Sequence, residues 1–319
     1  TAKGTTAPHR VRNRGGATMS HVSLSPSRLA TYATCPRQYD YGYVHDVTTP
    51  DRTELYLNQG KIYHETIEDV CDATDPDDAP ETIFERAMDI FDAKWAEHST
   101  PEDYESEAHQ EYQRLENHAA ISAFFDPDGG DGIDHARQSV ATECWVECER
   151  DGRGLHGKAD NVLRTEDGLH VIDYKRNTRG VLSSGTADRL GDHLDGEEHE
   201  PKRVRNAFQT AVYIEGVKNE PFYEEGMEVR FSFYGLLNRT SFESTPTGYE
   251  VSARGYPRET TEIYDEYYDT IWALIRAAHD GITSESFAPE PFDLINEEAC
   301  PDCEYREMCA DRLSKEVKR

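Results

Sequence analysis

Four cysteines constrain this chain more than any other feature. Cys35 stands near the start, and Cys300, Cys303 and Cys309 form C-x2-C-x5-C near the finish. Two thiolates on one turn can chelate a single soft centre, and the third cysteine leaves one ligand to be found. Cys35, in Ala33-Thr34-Cys35-Pro36, is the candidate. Such a clamp fixes an N-terminal helix against the C-terminal segment and closes everything between them into one loop. Four sulfurs suit a tetrahedral zinc ion or an iron-sulfur cluster, and ligand type alone does not separate the two. Cys71, Cys144 and Cys148 lie outside this pattern and read as small buried hydrophobes.

Charge bears on the partner. The chain carries 63 acidic against 34 basic residues over 319 positions, with the acids spread through almost every segment. Few lysines beside abundant Arg, Asp and Glu resemble the composition of a salt-accumulating halophile. In molar salt the Debye length is about 3 Å, so net charge does not exclude nucleic acid as a partner. Residues 1–20, small, polar and basic, are expected to form a disordered or artefactual extension, with Met19 a candidate natural start. No apolar run approaches the roughly 18 residues a membrane helix needs, and no signal peptide is recognised. A cytoplasmic protein with one domain over residues 21–319 is expected, long enough to bury a sizeable core.

Ser25-Pro26 caps a helix that runs toward Tyr43 and is interrupted at Cys35-Pro36. Thr48 to Leu57 reads as loop and Gly60 to Val70 as a helix carrying His64. Glu81 to His98 and Asp103 to Phe125 form two amphipathic helices, a helical insertion over about 81–125. Strands follow over Ala141–Glu149, Leu155–Arg164 and Gly168–Lys175, joined by the hairpin turns Asp151-Gly152 and Asp167-Gly168. Thr178 to Glu200 is polar and reads as a mobile loop. Arg203–Glu215 is a helix, Met227–Asn238 and Gly248–Ala253 are strands, and Glu259–Asp280 is one long helix. The cysteine tail spans 296–312.

Asp173 and Lys175 are two apart on a strand and so share one sheet face, where Asp160 on the preceding hairpin strand can join them. Paired carboxylates make a hard oxygen site suited to Mg²⁺ or Mn²⁺. A lysine beside them can position or deprotonate a water, or neutralise charge building on a phosphate. Gly152 to Ala159 fits G-x-x-x-x-G-K but ends in alanine, without the hydroxyl that a P-loop offers to Mg²⁺, so no ATP site is expected.

The run from Gly157-Lys158-Ala159-Asp160 through Asp173-Tyr174-Lys175 resembles motifs II and III of the PD-(D/E)XK nuclease superfamily, in its RecB-like branch. Gly60-Lys61-Ile62-Tyr63-His64 matches that branch's G-x-x-x-H, and Gln209-Thr210-Ala211-Val212-Tyr213 its Q-x-x-x-Y. The resemblance implies an α/β fold with a restriction-endonuclease-like mixed sheet flanked by helices, and metal-dependent cleavage of DNA, single-stranded or at ends. It also implies His64, Asp160, Asp173 and the backbone carbonyl of Tyr174 as metal ligands, Lys175 as the catalytic lysine, and Gln209 and Tyr213 as supports that contact DNA. One early cysteine plus three late ones resembles the 4Fe-4S members of this branch, the CRISPR-associated exonucleases and the AddB-type nuclease domain. A helicase or a repair or CRISPR protein is then an implied partner. The extra helices make the chain longer than the compact CRISPR-associated members.

Around the site, Arg176, Arg179, Lys202, Arg203 and Arg205 form a candidate phosphate track, the alternative being intramolecular pairing with Glu197-Glu198-His199-Glu200. Tyr39, Tyr41 and Tyr43 offer either stacking surfaces for bases or core packing. Two other readings stay open: a catalytically silent DNA-binding scaffold, and a zinc-stapled interaction protein.

Overall fold

The computed structural model describes residues 22–49, 55–246 and 248–317. The expected N-terminal extension lies outside them. The chain opens with a short strand β1 (Ser23–Leu24) and the helices α1 (Pro26–Thr34) and α2 (Pro36–Tyr39), followed by a π-turn over Asp40–Val44. Ser25 accepts a hydrogen bond from the Arg28 N–H, and Pro26 occupies the first turn, where its missing N–H costs nothing. Helices α3 (Leu55–Asp72), α4 (Pro80–His98), α5 (Glu107–Phe124) and α6 (Asp131–Gln138) come next. Then follow β2 (Ser139–Arg150), β3 (Arg153–Arg164) and β4 (Gly168–Lys175). Asp151 and Gly152 both have positive φ, 51° and 75°, as the two-residue hairpin turn between β2 and β3 requires.

Two helices, α7 (Arg189–Asp195) and α8 (Pro201–Val217), lead to the long hairpin β5 (Glu228–Thr245) and β6 (Gly248–Glu259). Helices α9 (Thr261–Glu266), α10 (Tyr268–Thr283), α11 (Phe292–Glu298) and α12 (Ala310–Val317) complete the described chain. No described helix is long and apolar enough to cross a membrane.

The strands form one six-stranded mixed sheet, in the order β1-β3-β4-β5-β6 with β2 on the far edge of β3. β1 runs parallel to β3 and β4 parallel to β5, while the other pairs are antiparallel. Alternation along β4 separates two cores. Leu169 and Val171 join the layer of α1, α8 and α10, whereas Ile172 and Tyr174 join residues from α3 to α6. This is the α/β fold with a helix-flanked mixed sheet that the sequence led us to expect.

Three expected elements differ. The stretch 178–200 is not a loop throughout: it holds a 3-10 turn (Ser184–Thr186) and α7. Leu182, Ala187 and Leu190 are fully buried and anchor it, a tertiary attachment that its polar composition conceals. The long helix expected over 259–280 is two, broken at Tyr267 (φ −104°, ψ 20°), and Glu259 ends β6. Leu55, placed in a loop from sequence, already begins α3.

One buried titration can be tested. His135 packs between Phe124, Tyr174 and Tyr234, its Nδ1 2.9 Å from the Tyr174 hydroxyl. Burial pulls its pKa down to about 4, against about 6.5 in an unfolded chain. The unfolded state therefore takes the proton first, and stability falls as pH drops from about 6.5 through 4, by about 3 kcal/mol from this residue. Urea unfolding at pH 7 and pH 4.5 should show that loss, reduced in His135→Asn. Equal pH dependence in the variant would refute it.

Candidate active site

The site forms where two strands part. β3 and β4 pair from Arg164↔Leu169 to Asn161↔Ile172 and then separate. β1 takes up the same edge of β3 only at Gly154 and Leu155, leaving Asp160 at the mouth of a fork. There the Asp160 carboxylate accepts the Tyr174 N–H at 2.7 Å, replacing the ladder bond lost as the strands diverge. Asp173 and Lys175 project from β4 on one face, with Lys175 Nζ 2.6 Å from Asp173 Oδ2.

His64 reaches the fork from α3, its Nδ1 3.3 Å from Asp160 Oδ2. From α8, Gln209 Nε2 donates to Asp173 Oδ1 at 2.9 Å. One turn on, the Tyr213 ring lies against Gly157 so closely that a Cβ there would stand 2.5 Å from Cε1, so this strand position accepts only glycine. Gly157 and Lys158 are thus mid-strand, not part of a phosphate-binding loop.

Electrostatics tie these groups together. Burial raises the Asp173 pKa to about 6, with Asp160 adding to the rise and Lys175 opposing it. Burial also acts against the charged forms of Asp160, Lys175 and His64, but their partners outweigh it. His64 and Lys175 hold Asp160 below the usual carboxylate range. Asp173 and Asp160 raise Lys175. Asp160 and then Asp173 push His64 up to about 9.

Glu143 was not singled out from sequence. It stands on β2 between Thr142↔Asn161 and Cys144↔Ala159, opposite Asp160, and takes a left-handed φ of 46°. Left-handed backbone is costly for a residue with a Cβ, and two carboxylates facing each other across strands repel. Glu143 also forms an ion pair with Lys158. The donor atoms of His64, Glu143 and Asp160 lie within 4.8 Å of one another. An oxygen- and imidazole-rich set with surplus negative charge fits a divalent cation such as Mg²⁺ or Mn²⁺. A glutamate in an alternating strand carries no sequence signal of its own.

The five basic residues expected along a phosphate track divide. Arg176 pairs with the buried Glu116 and donates to Gln59 Oε1 at 2.9 Å, and Arg203 pairs with Glu200. Arg203 thus follows the intramolecular alternative, whereas Arg176 finds a carboxylate outside the acidic run. Arg205 lies near enough to Lys175 to oppose its protonation. Arg179, Lys202 and Arg205 form no ion pair among the described residues. Tyr39 is buried against Tyr32 and Phe287, which answers its role as core packing, and Tyr41 meets Tyr305 edge-on.

Outside the fork, Cys35, Cys300, Cys303 and Cys309 line one small cavity with Arg37, Gln38, Tyr41, Tyr305 and Arg306. Burial pushes the Cys35 thiol up to about 11, against backbone hydrogen bonds from Gln38 and Arg37. Among the described residues no three of these sulfurs fall within 4.8 Å of one another. Four Zn–S bonds of about 2.3 Å would set a sulfur–sulfur edge of about 3.8 Å. The two chain ends also meet through Arg37, whose Nε lies 2.7 Å from Asp311 Oδ2, and through Thr49 and Glu304 at 3.0 Å. Cys71 is buried on the far side of the sheet, 3.4 Å from Asn161 Nδ2.

Comparisons with known proteins bear on this geometry. The family model of the PD-(D/E)XK nuclease superfamily matches residues 23–310. A crystal structure of a candidate exonuclease from Eubacterium rectale superposes with a TM-score of 0.43 at 14% identity, covering 87% of this chain and 93% of that one. No curated protein matches the sequence.

Proposed function

The chain belongs to the PD-(D/E)XK nuclease superfamily, and on that premise we propose that it is a RecB-like deoxyribonuclease dependent on Mg²⁺ or Mn²⁺. It hydrolyses phosphodiester bonds of single strands or DNA ends, in an exonuclease-like manner, within repair, recombination or CRISPR-type processing. The observation that carries this reading is the fork, where His64, Asp160, Asp173 and Lys175 converge from three elements.

His64, Asp160, Asp173 and the Tyr174 carbonyl would hold the metal, with Glu143 beside them. A divalent cation there would polarise the phosphate and lower the pKa of a water. Lys175, held as a cation by Asp173, neutralises charge developing on the scissile phosphate. Gln209 fixes the Asp173 carboxylate through Oδ1, leaving Oδ2 to face Lys175. Tyr213, wedged on Gly157, keeps α8 seated over the fork.

Cys35, Cys300, Cys303 and Cys309 bind a 4Fe-4S cluster in this proposal. The four cysteines line one cavity, and N–H groups of Gln38 and Arg37 aimed at Cys35 suit a bound thiolate. Residues 21–319 form one nuclease domain closed by that clamp, working in the cytoplasm of a salt-adapted, by composition haloarchaeal, cell alongside a helicase or a repair or CRISPR partner.

The test is cleavage of end-labelled single-stranded DNA in high-salt buffer. Cleavage is expected with Mn²⁺ and is expected to stop with EDTA, product lengths giving the polarity. A folded, cluster-loaded protein that leaves the strand intact would refute the nuclease assignment and turn attention to a silent DNA-binding subunit.

A further inference from the structure

The β5–β6 hairpin continues beyond the fork. Lys175 stands in register with Gly235 on β5, and Gly235 with Tyr256 on β6. Register partners share a sheet face, as do residues two apart on one strand. Tyr256 and Arg254 therefore lie on the face of Asp173 and Lys175. Arg239, directly opposite Arg254, lies there too. A bulge between Gly235 and Arg239 sets the position of this pair, and the buried Asn238 secures it. Asn238 Nδ2 donates to the carbonyls of Gly235 and Tyr256, and its Oδ1 accepts from Thr178 N, just past Lys175.

Arg239, Arg254 and Tyr256 are exposed and line an open hollow of about 240 Å³. Two arginines opposed across strands repel each other, and neither forms an ion pair among the described residues. That is unexpected in a chain with 63 acidic residues, where Arg37, Arg153, Arg176 and Arg203 are each held by a carboxylate. Further along the same face come Ser241 with Ser252, then Glu243 with Glu250. Positive charge is thus confined to the end next to the fork, about 12 Å from Lys175 by strand geometry.

We infer that this hollow binds the backbone of a single DNA strand leaving the fork. Arg239 and Arg254 clasp its phosphates, and Tyr256 offers a ring for stacking. The inference rests on the nuclease reading above and extends it to a second contact site.

The experiment uses the full chain, a fluorescent oligothymidylate with Ca²⁺ to follow binding, and thymidine 5′-p-nitrophenyl phosphate with Mn²⁺, too small to reach the arm. In R239Q/R254Q the affinity for the strand is expected to fall about 10-fold or more at low salt. The slope of log affinity against log salt should decrease by about 1.4, two contacts at about 0.7 each. Ester hydrolysis should be unchanged, and R239K/R254K should keep the slope. Native-like affinity and slope in the glutamine variant overturn the inference and leave the nuclease reading standing. So does a lysine variant as weak as the glutamine one, since lost packing would then explain the effect. Failure of the native protein both to bind the strand and to hydrolyse the ester overturns both readings.

Discussion

Lys175→Ala is expected to cut DNA about 10²- to 10³-fold more slowly than the native protein in single-turnover assays with saturating Mn²⁺. Removing one group that stabilises transition-state charge in a water-poor site costs about 3–4 kcal/mol. The loss should appear in the rate and not in strand affinity, because the ammonium matters most when charge builds on the phosphate. Asp173→Asn should be equally inactive but should also weaken Mn²⁺ binding, read by the EPR signal of the free ion. Glu143→Gln separates a ligand from a bystander. We expect about 10-fold weaker Mn²⁺ binding and a partial loss of rate that added Mn²⁺ restores. Native-like Mn²⁺ affinity in Glu143→Gln would make its contact with Asp160 a matter of packing. A Lys175→Ala enzyme within 10-fold of native would remove that residue from the chemistry.

Cys309→Ser is expected to abolish the visible absorbance of the purified protein and to lower its melting temperature by about 10 °C or more. Metal bound only by the folded chain contributes its binding energy to folding. A loss of about 5 kcal/mol shifts a domain of this size by that amount. Cys71→Ser, on the far side of the sheet, should leave the absorbance intact. If the variant does not accumulate, oxidative bleaching of the native protein followed by melting reads the same quantity. A colourless native protein with one tightly held zinc would replace the cluster by a zinc staple. Unchanged stability after bleaching would deny the clamp its structural role.

Much of this was legible in the sequence where local chemistry dictates local form. Asp151-Gly152 makes a turn that few other pairs can make, and Ser25-Pro26 starts a helix for reasons confined to a few residues. Asp173 and Lys175 share a face because strands have a period of two, and the family's spacing placed His64 and Gln209 with them. What stayed hidden depends on distant partners. α7 is held by Leu182, Ala187 and Leu190 reaching a core built from other segments. Glu143 becomes notable only opposite Asp160 with His64 above it. Arg239 and Arg254, fifteen positions apart in a hairpin whose register is offset by a bulge, are opposed for reasons no local pattern records. Arg176 looked like a phosphate contact because Glu116, its partner, lies far upstream.

The residue between the two catalytic candidates has a consequence of its own. Tyr174 is 2% exposed, its hydroxyl within hydrogen-bond reach of His135 and Asn161 in the opposite core. If β4 slipped by one position, Asp173 and Lys175 would be driven into that apolar layer and the tyrosine turned out of it. Burying two charges away from their partners would cost several kcal/mol. The D-Y-K run therefore acts as its own alignment gauge. Only one seating of the strand can fold, and in that seating the acid and the lysine face the fork.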